Sequence, residues 1–234
     1  MSAAIHRRHL GESHLPGLRR ELLAISLELH GRGWVANHDG NVTVRLPGQR
    51  WLATPTALSK RVLTDNDLIV LDGDGRVLQG GRRPFSEFRI HRAIYEARPD
   101  VTAVVHAHPP SATALSIIGQ AVEPRMIAEA IVSLGDRVPL AAYHFPNSAD
   151  MVAELRQLAE GHDVITMANH GLLAWGDDLE QAFLRAELVE HLATIQLRAM
   201  QSGQPRLVPE ADVQRLLDNR AAAGLGPAAR RLRA

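Results

Sequence analysis

The chain has 234 residues, of which 45% are hydrophobic and 22% charged, so it has enough apolar side chain for the core of a globular protein. Its 26 basic and 26 acidic residues balance, which argues against the strong positive field that nucleic acids and anionic membranes attract. There is no cysteine. Disulfides and thiolate metal sites are therefore excluded, and any transition metal would be bound by histidine and carboxylate.

No apolar run approaches the roughly 20 residues of a membrane span. The segment from Met1 to Arg20 contains Arg and His but no apolar stretch of the kind that a secretory signal needs. We therefore expect a cytoplasmic protein without membrane or nucleic-acid partners.

The N-terminal part of the sequence predicts one helix and two hairpins. Apolar residues recur at helical spacing over Leu18–His30. Alternating residues over Asn41–Leu46 predict a strand, and Pro-Gly turns it into a second strand, Arg50–Thr54. A further pair, Leu68–Leu71 and Arg76–Leu78, flanks an Asp-Gly-Asp-Gly turn. That turn is not a calcium loop, because the closing glutamate is missing.

The rest of the chain predicts alternating helices and strands and a basic, frayed tail at Ala228–Ala234. The helices are predicted at Ser86–Ala97 with Ser86 as N-cap, Ser111–Ile118, Met126–Ile131, Ser148–Glu160, Leu179–Met200 and Pro209–Ala222. The strands are predicted at Thr102–Ala107, Val138–Tyr143, Val164–Met167 and Leu172–Trp175. Strands occur both in hairpins and between helices, so we expect one α/β domain over residues 1–234 with a mixed, largely antiparallel sheet and helices on both faces.

Two histidines stand at the end of an apolar strand. His106 and His108 are two residues apart, and alternation along a strand places such residues on the same face. Two imidazoles on one face form half of a tetrahedral zinc site. Two unrelated surface histidines are the alternative interpretation, and the pair alone does not decide between them.

A third metal ligand has to come from elsewhere in the chain. His170 is the best candidate, because it lies in a tight turn between two apolar strands and can face a cleft at the sheet edge. Glu87 is a candidate carboxylate at a helix start, although a first-turn carboxylate is also favoured there by the helix dipole alone. The other candidate histidines, of which two fall in ordinary helical patterns, are His30, His38, His91, His144, His162 and His191.

Five segments in order resemble the class II aldolase/adducin family, and fuculose-phosphate aldolases are its nearest well-defined members. The resemblance extends from about Leu18 to Met200, and five motifs in order are far more specific than any one of them. The segments are Gly40–Arg45 (Gly-Asn-Val-Thr-Val-Arg), Thr54–Thr56, Ser86–His91, Val104–Pro109 and Asn169–Leu172.

The resemblance implies a three-layer αβα fold with a central mixed, largely antiparallel sheet, and a tetramer with sites at subunit interfaces. It implies that His106, His108 and His170 bind Zn²⁺, with Mn²⁺ or Co²⁺ as alternatives. The metal would stabilise the enediolate left when a carbon–carbon bond of a small ketose or sugar phosphate breaks. Glu87 would be the general acid/base. The segments matching the phosphate-binding loops are Gly40-Asn41, Thr56-Ala57 and Phe85-Ser86.

Three departures from the aldolase pattern bear on the substrate. The phosphate loops have Ala57 where the aldolases have glycine, and Phe85 where they have serine. The lost hydroxyl removes a phosphate hydrogen bond, which His38, Lys60 or Arg61 could replace. The third departure is Arg125, which stands where the aldolases have a proton-donating tyrosine from a neighbouring subunit. Arginine binds an anion but does not donate a proton.

The sequence leaves several functions open. Retro-aldol cleavage is the leading hypothesis, and decarboxylation of a hydroxylated aromatic or keto acid is the alternative, with Phe85 as a ring contact and Arg125 as a carboxylate clamp. A dehydratase and a 4-epimerase rank lower. A non-catalytic scaffold like the adducin head ranks lowest, because that branch has lost the metal histidines and this chain retains all three. The small-molecule substrate is not identified by the sequence.

Overall fold

The computed structural model describes residues 14–227, and the predicted basic tail at Ala228–Ala234 lies outside them. The described chain contains one eight-stranded sheet. Its strands are β1 Asn41–Leu46, β2 Arg50–Ala53, β3 Ile69–Leu71, β4 Val77–Gln79, β5 Ala103–Ala107, β6 Leu140–Ala141, β7 Val164–Met167 and β8 Gly171–Gly176.

Seven α-helices accompany the sheet in the described residues. They are α1 Leu15–Gly31, α2 Phe88–Ala97, α3 Pro110–Ile117, α4 Ala128–Leu134, α5 Ala149–Ala159, α6 Leu179–Ser202 and α7 Glu210–Ala222. Short 3₁₀ turns occur at Lys60–Val62, Asp65–Asp67 and Pro124–Met126.

The strands follow the order β4-β3-β2-β1-β5-β8-β7-β6 across the sheet. Every neighbouring pair is antiparallel except β6 and β7, which are parallel. The prediction of a mixed, largely antiparallel sheet is therefore confirmed. The Asp-Gly-Asp-Gly segment joins β3 to β4 as predicted, and Gly75 supplies the positive φ of +80° that this turn requires.

The two faces of the sheet bury separate apolar layers, because successive strand residues point to opposite sides. On β5, Val105 packs with residues of α1, α3, α4 and α6, whereas Val104 packs with residues of α2 and α5. Helix α7 packs outside α4. This is the expected three-layer αβα arrangement, and it places α2 on the same side of the sheet as His106.

Three predicted elements differ from the structure. Helix α2 begins at Phe88 with Glu87 as its N-cap residue, so Ser86 is not the cap. Pro124 begins a 3₁₀ turn and Ile127 is extended, so the helix predicted over Met126–Ile131 begins later, at Ala128. The strand predicted over Val138–Tyr143 is limited to β6 at the sheet edge, because the Ala142 N–H donates to the Glu154 side chain (3.2 Å) instead of to a strand.

Among the described residues, no helix is both long and apolar enough to cross a membrane.

Candidate metal centre

The site lies at the end of the sheet where β5 finishes and where β1 and β8 begin. Asn41, the first residue of β1, pairs with His106 on β5, and Leu172 near the start of β8 pairs with Ala107. His170 immediately precedes β8, in a turn where Asn169 adopts a φ of +56°. Antiparallel pairing of three central strands thus gathers residues that are far apart in the sequence.

His106, His108 and His170, which we call the histidine cluster, converge at this end of the sheet. One ring nitrogen from each lies within 4.8 Å of the other two. The ring centroids are separated by 4.9 Å for two of the pairs and 5.2 Å for the third. The structure therefore brings the three predicted ligands together, and in the described residues no other histidine joins a group of this kind.

Hydrogen bonding leaves a specific nitrogen of His106 available for coordination. Its Nδ1–H donates to the Leu172 carbonyl oxygen at 2.8 Å, so Nε2 carries the lone pair. That Nε2 faces His108 Nε2 at 3.1 Å. Burial lowers the pKa of His106 to about 3, so the ring is neutral at physiological pH, as metal coordination requires.

His108 faces a carboxylate on its other side. Its Nδ1 lies 3.5 Å from Asp39 Oδ2, an arrangement that orients metal-binding imidazoles in many proteins. Burial lowers the pKa of His108, against the opposing effect of Asp39. No periodic pattern in the sequence indicated Asp39, which lies in the loop before β1.

Two glycines permit the close approach of these segments. A Cβ on Gly171 would collide with the Ala107 carbonyl oxygen and the His108 ring. A Cβ on Gly40, which has a φ of +66°, would collide with the Val35 side chain and lie 2.8 Å from the His106 carbonyl oxygen. Glycine is required at both positions because larger residues would push the surrounding strands apart.

Glu87 turns its carboxylate toward the cluster instead of capping α2. Oε1 lies 3.1 Å from His170 Nε2, and Oε2 lies 3.5 Å from His106 Nε2. The Asn41 side-chain amide donates to Oε2 at 2.8 Å. Burial raises the pKa of Glu87, but the adjacent His106 ring and the hydrogen bonds from His170 and Asn41 outweigh this effect and hold the pKa below its ordinary value. The carboxylate is therefore ionised.

The three predicted phosphate segments differ in their positions. Gly40 and Asn41 adjoin the histidine cluster, and Thr56 follows β2 in a loop with Ala57 at a φ of +55°. Ser86 is exposed beside Glu87. Their role in substrate binding stays a prediction.

Phe85 does not occupy the place that the sequence suggested. Its ring is 7% exposed and lies in the core layer beneath α2. It packs edge-on against Phe88 at 6.2 Å and His91 at 5.2 Å between ring centroids. The expectation of a phenyl ring exposed to the substrate is therefore wrong, because the ring is used to close the apolar layer.

Arg125 pairs with Glu123 through two hydrogen bonds of 2.9 Å, from Nε and Nη2. This ion pair belongs to the turn that precedes α4, and the carboxylates that act on Arg125 in the described chain are those of Glu123, Glu210 and Asp136, none of them in the histidine cluster. Tyr143, by contrast, borders a pocket of about 200 Å³ next to His170, together with His144 and Glu154. The sequence pattern placed Tyr143 in a predicted strand, Val138–Tyr143, and therefore did not indicate that it borders this pocket.

The residues present suit a divalent transition metal. Three imidazoles with one open side are the ligand set of catalytic zinc sites, and the same nitrogen donors accept Co²⁺ and Mn²⁺. The buried Nε2 of His106 and the ionised Glu87 next to it fit a cation at the centre of the cluster. The fold and the site together define an αβα protein with a cluster of three histidines that could hold a metal ion, beside a carboxylate.

The chain belongs to the family described as "Class II Aldolase and Adducin N-terminal domain", whose model matches residues 20–197. A Rhodospirillum rubrum protein named 5-methylthioribulose-1-phosphate/5-deoxyribulose-1-phosphate aldolase is 32% identical over 86% of this chain and 90% of its own length. A solved L-fuculose 1-phosphate aldolase superposes with a TM-score of 0.80 at 27% identity, covering 91% of this chain and 98% of that one.

A third relative is named for different chemistry. A probable bifunctional methylthioribose-1-phosphate isomerase/methylthioribulose-1-phosphate dehydratase from Nocardia farcinica is 38% identical over 78% of this chain. The match covers 35% of that longer protein. The fold and family predicted from the five segments are thus confirmed.

Proposed function

We propose that this protein is a metal-dependent aldolase that cleaves a small ketose 1-phosphate. The observation that carries the proposal is the convergence of three imidazole rings with the carboxylate of Glu87, which lies 3.1 Å from His170. The relatives named as aldolases act on ketose 1-phosphates according to their names, which supports the substrate class.

His106, His108 and His170 would hold the metal, which we propose to be Zn²⁺. When bound, it supplies the Lewis acid that polarises the ketose carbonyl. In the cleavage direction the C3–C4 bond breaks, the C4 hydroxyl loses its proton and C4 becomes the aldehyde. C3 takes up a proton, so the products are an aldehyde and dihydroxyacetone phosphate.

Glu87 lies close enough to the histidine cluster to transfer the proton that C3 takes up. Its ionised carboxylate has a lone pair that can accept a proton, and the hydrogen bond from Asn41 fixes the carboxylate orientation. We also propose that Gly40, Thr56 and Ser86 contact the substrate phosphate through backbone N–H groups and hydroxyls. Such groups bind anions without carrying charge themselves.

The tetramer implied by the family is part of the proposal, as is a cytoplasmic location. Arg125 would then contact substrate from a neighbouring subunit, since its carboxylate partners in the described chain are outside the cluster. Light scattering in solution tests the assembly. A monomeric, fully active enzyme would remove Arg125 from the site.

The test combines metal analysis with product detection. Purified wild type should contain about one metal ion per chain and release aldehyde from a ketose 1-phosphate. His108→Ala should lose both the metal and the activity. The matched control is His191→Ala, because His191 is an exposed histidine on α6 outside the cluster. Metal-free wild type, or metal loss in both variants, would contradict the metal centre.

Glu87→Gln separates proton transfer from metal binding. We expect the variant to retain the metal and to lower kcat about 10²–10⁴-fold. Loss of the metal in this variant would instead make Glu87 a ligand.

Dehydration is the second candidate function, and the observation that favours it is the 38% identity to the relative named as a dehydratase. Removal of water from the same substrate class would yield no aldehyde and no dihydroxyacetone phosphate. Incubating the metal-loaded protein with methylthioribulose 1-phosphate distinguishes the two, because aldehyde and diketone products differ. Decarboxylation has less support, since Phe85 is in the core.

A further inference from the structure

A lysine is buried beside the site without a partner. Lys60 is 1% exposed, and its Nζ has no hydrogen-bond partner among residues 14–227. It begins the 3₁₀ turn Lys60–Val62, which packs against α1, and its neighbours Leu58 and Leu63 both contribute to the core layer. Lysine is seldom buried without a pair, so this position requires a reason.

The carboxylates that act on this ammonium are those that face the histidine cluster. Burial lowers the pKa of Lys60 to about 8, and the two charges that oppose the decrease are those of Asp39 and Glu87. Asp39 faces His108 and Glu87 faces His170. Neither carboxylate forms a hydrogen bond with the ammonium, so its positive charge is left uncompensated in a region shielded from water.

The backbone ties this lysine to the predicted phosphate segments. Thr54 is buried and exchanges two hydrogen bonds with Val42, one through its N–H (3.1 Å) and one through its hydroxyl oxygen (3.2 Å). These bonds fasten the loop from Thr54 to Lys60 against the strand that follows Gly40 and Asn41. The segment that leads to Lys60 is therefore hydrogen-bonded to β1, the strand that begins with Asn41.

A phosphate dianion approaching this site would meet two carboxylates, Asp39 and Glu87. Backbone N–H groups alone offer partial charges, and the serine hydroxyl that aldolases place before Ser86 is replaced by a core phenyl ring, Phe85. A full positive charge is needed to balance a dianion in a water-poor site. A second buried atom without a partner in the described chain, Asn41 Oδ1, would accept a substrate hydroxyl.

We infer that Lys60 is the charge that recognises the substrate phosphate, taking over from the hydroxyl missing at position 85. This inference rests on the proposed function for its choice of substrate. It makes Lys60 a specificity-determining residue that favours phosphorylated over unphosphorylated ketoses. Arg61, the other cation considered from the sequence, is exposed and does not share this environment.

The test compares Lys60→Met with Arg61→Met, which removes the adjacent exposed charge. We expect Lys60→Met to raise KM for a ketose 1-phosphate at least about tenfold, the loss expected for one charge-assisted interaction. Metal content and kcat/KM for the unphosphorylated ketose should stay within about twofold of wild type, whereas Lys60→Arg should restore part of the lost affinity. Arg61→Met should behave as wild type.

Binding of inorganic phosphate, followed by calorimetry, provides a readout that does not need turnover. We expect Lys60→Met to weaken it by a similar factor. Wild type that binds phosphate through Lys60 but releases no aldehyde would overturn the aldolase proposal and leave this inference standing. An active wild type whose KM and phosphate affinity are unchanged in Lys60→Met would overturn the inference alone, as would an equal loss on both substrates.

Discussion

Two buried clusters of charge in this molecule differ in how their polar atoms are satisfied. The first, the Asp163 cluster, consists of Asp163 with three arginines, one directly after α2 and the others on α6 and α7. Asp163 Oδ1 accepts from Arg98 at 3.0 Å, and Oδ2 lies 3.3 Å from both Arg185 and Arg220. Arg98 also pairs with Asp100 at 2.7 Å. Both carboxylate oxygens of Asp163 are engaged.

The second lies around the histidine cluster, where several buried polar atoms lack a partner in the described part of the chain. They are Lys60 Nζ, His91 Nε2 and Asn41 Oδ1. Each would cost free energy in a purely structural core, because burial removes water without supplying a replacement.

The difference indicates what each cluster is for. In the Asp163 cluster, the ion pairs connect the end of α2, α6 and α7 to the residue before β7. These charged groups find their partners within the chain and require no ligand. Buried donors and acceptors without a partner inside the protein, next to a cluster of histidines, are typical of a site that binds a ligand. Substitutions in the Asp163 cluster should therefore lower the free energy of unfolding. Substitutions around the histidine cluster should lower activity and can even raise the free energy of unfolding.

The largest effect is expected at Asp163. Asp163→Asn leaves three buried guanidinium groups facing a neutral amide, and breaking a buried ion pair costs about 3–5 kcal/mol. Urea unfolding measures the loss. The metal content of the folded protein should not change. The control is Asp212→Asn, which removes an exposed pair with Arg215 and should leave stability almost unchanged. Equal midpoints for both variants would contradict a structural role of the cluster.

Lys60→Met should raise the free energy of unfolding instead of lowering it. The pKa of Lys60 falls from 10.5 to about 8 on burial, which corresponds to about 3 kcal/mol of destabilisation at neutral pH. The folded state releases its proton more easily than the unfolded state. Wild-type stability should therefore increase as the pH rises from 8 toward 10.5, and the variant should lack that increase.

Unfolding of both proteins at pH 7 and pH 10 checks this expectation. A gain of stability in Lys60→Met at pH 7, with loss of phosphate affinity, would place Lys60 on the functional side of the comparison. A loss of stability at pH 7 would instead mean that the ammonium has a structural partner in the folded protein.

A smaller effect is expected from His91, which is fully buried with Nδ1 bonded to the Thr43 hydroxyl at 2.8 Å. Burial lowers its pKa to about 3, so the folded state resists protonation while the unfolded state takes up a proton near pH 6.5. The stability due to His91 is thus present above pH 6.5 and is lost as the pH falls toward 3. Between pH 7 and 5 the loss is about 2 kcal/mol.

His91→Leu should remove this part of the acid sensitivity. The comparison uses protein treated with a chelator, since metal ligands also bind protons, and reads the change of unfolding free energy with pH instead of its absolute value. His106, whose pKa is lowered similarly, is present in both proteins. Identical pH dependence in wild type and variant would show that His91 is not protonated on unfolding.

Much of the fold was predictable because periodicity marks strands and helices directly. The errors occur where a side chain does something other than pack. Ser86 looked like an N-cap, but α2 starts at Phe88 because Glu87 directs its carboxylate at His170 and not at the helix end. At Ala142, a backbone N–H bonded to Glu154 ended a strand that the apolar run had suggested would continue.

The proximity of the three histidines was also predictable, because strand alternation indicated His106 and His108 and the ordered motifs added His170. The residues that surround the three histidines could not be identified from the sequence. Lys60 lies in a Ser-Lys-Arg segment that resembles a solvated turn, and only the tertiary structure shows that it is buried while Arg61 is exposed. The Asp163 cluster joins side chains over more than 100 positions of sequence, from Arg98 to Arg220, without any repeating pattern.

The smallest predicted effect concerns strain in the loop that connects the site to Lys60. Ala57 has a φ of +55°, a left-handed conformation that costs a residue with a Cβ about 1–2 kcal/mol. Ala57→Gly relieves that cost but adds about 0.5–1 kcal/mol of unfolded-state entropy, so we expect a net gain of about 0.5–1 kcal/mol. Asn147→Gly is the matched control. Asn147 has a φ of +62°, but asparagine tolerates this region and should gain less. Unfolding free energies of the two variants measure the difference.

Because the aldolases have glycine at this position, an Ala57→Gly protein that gains stability but loses phosphate affinity would show that the alanine holds the loop rigid against Lys60. A gain without any change in affinity would confine position 57 to a structural effect and leave the phosphate charge to Lys60 alone.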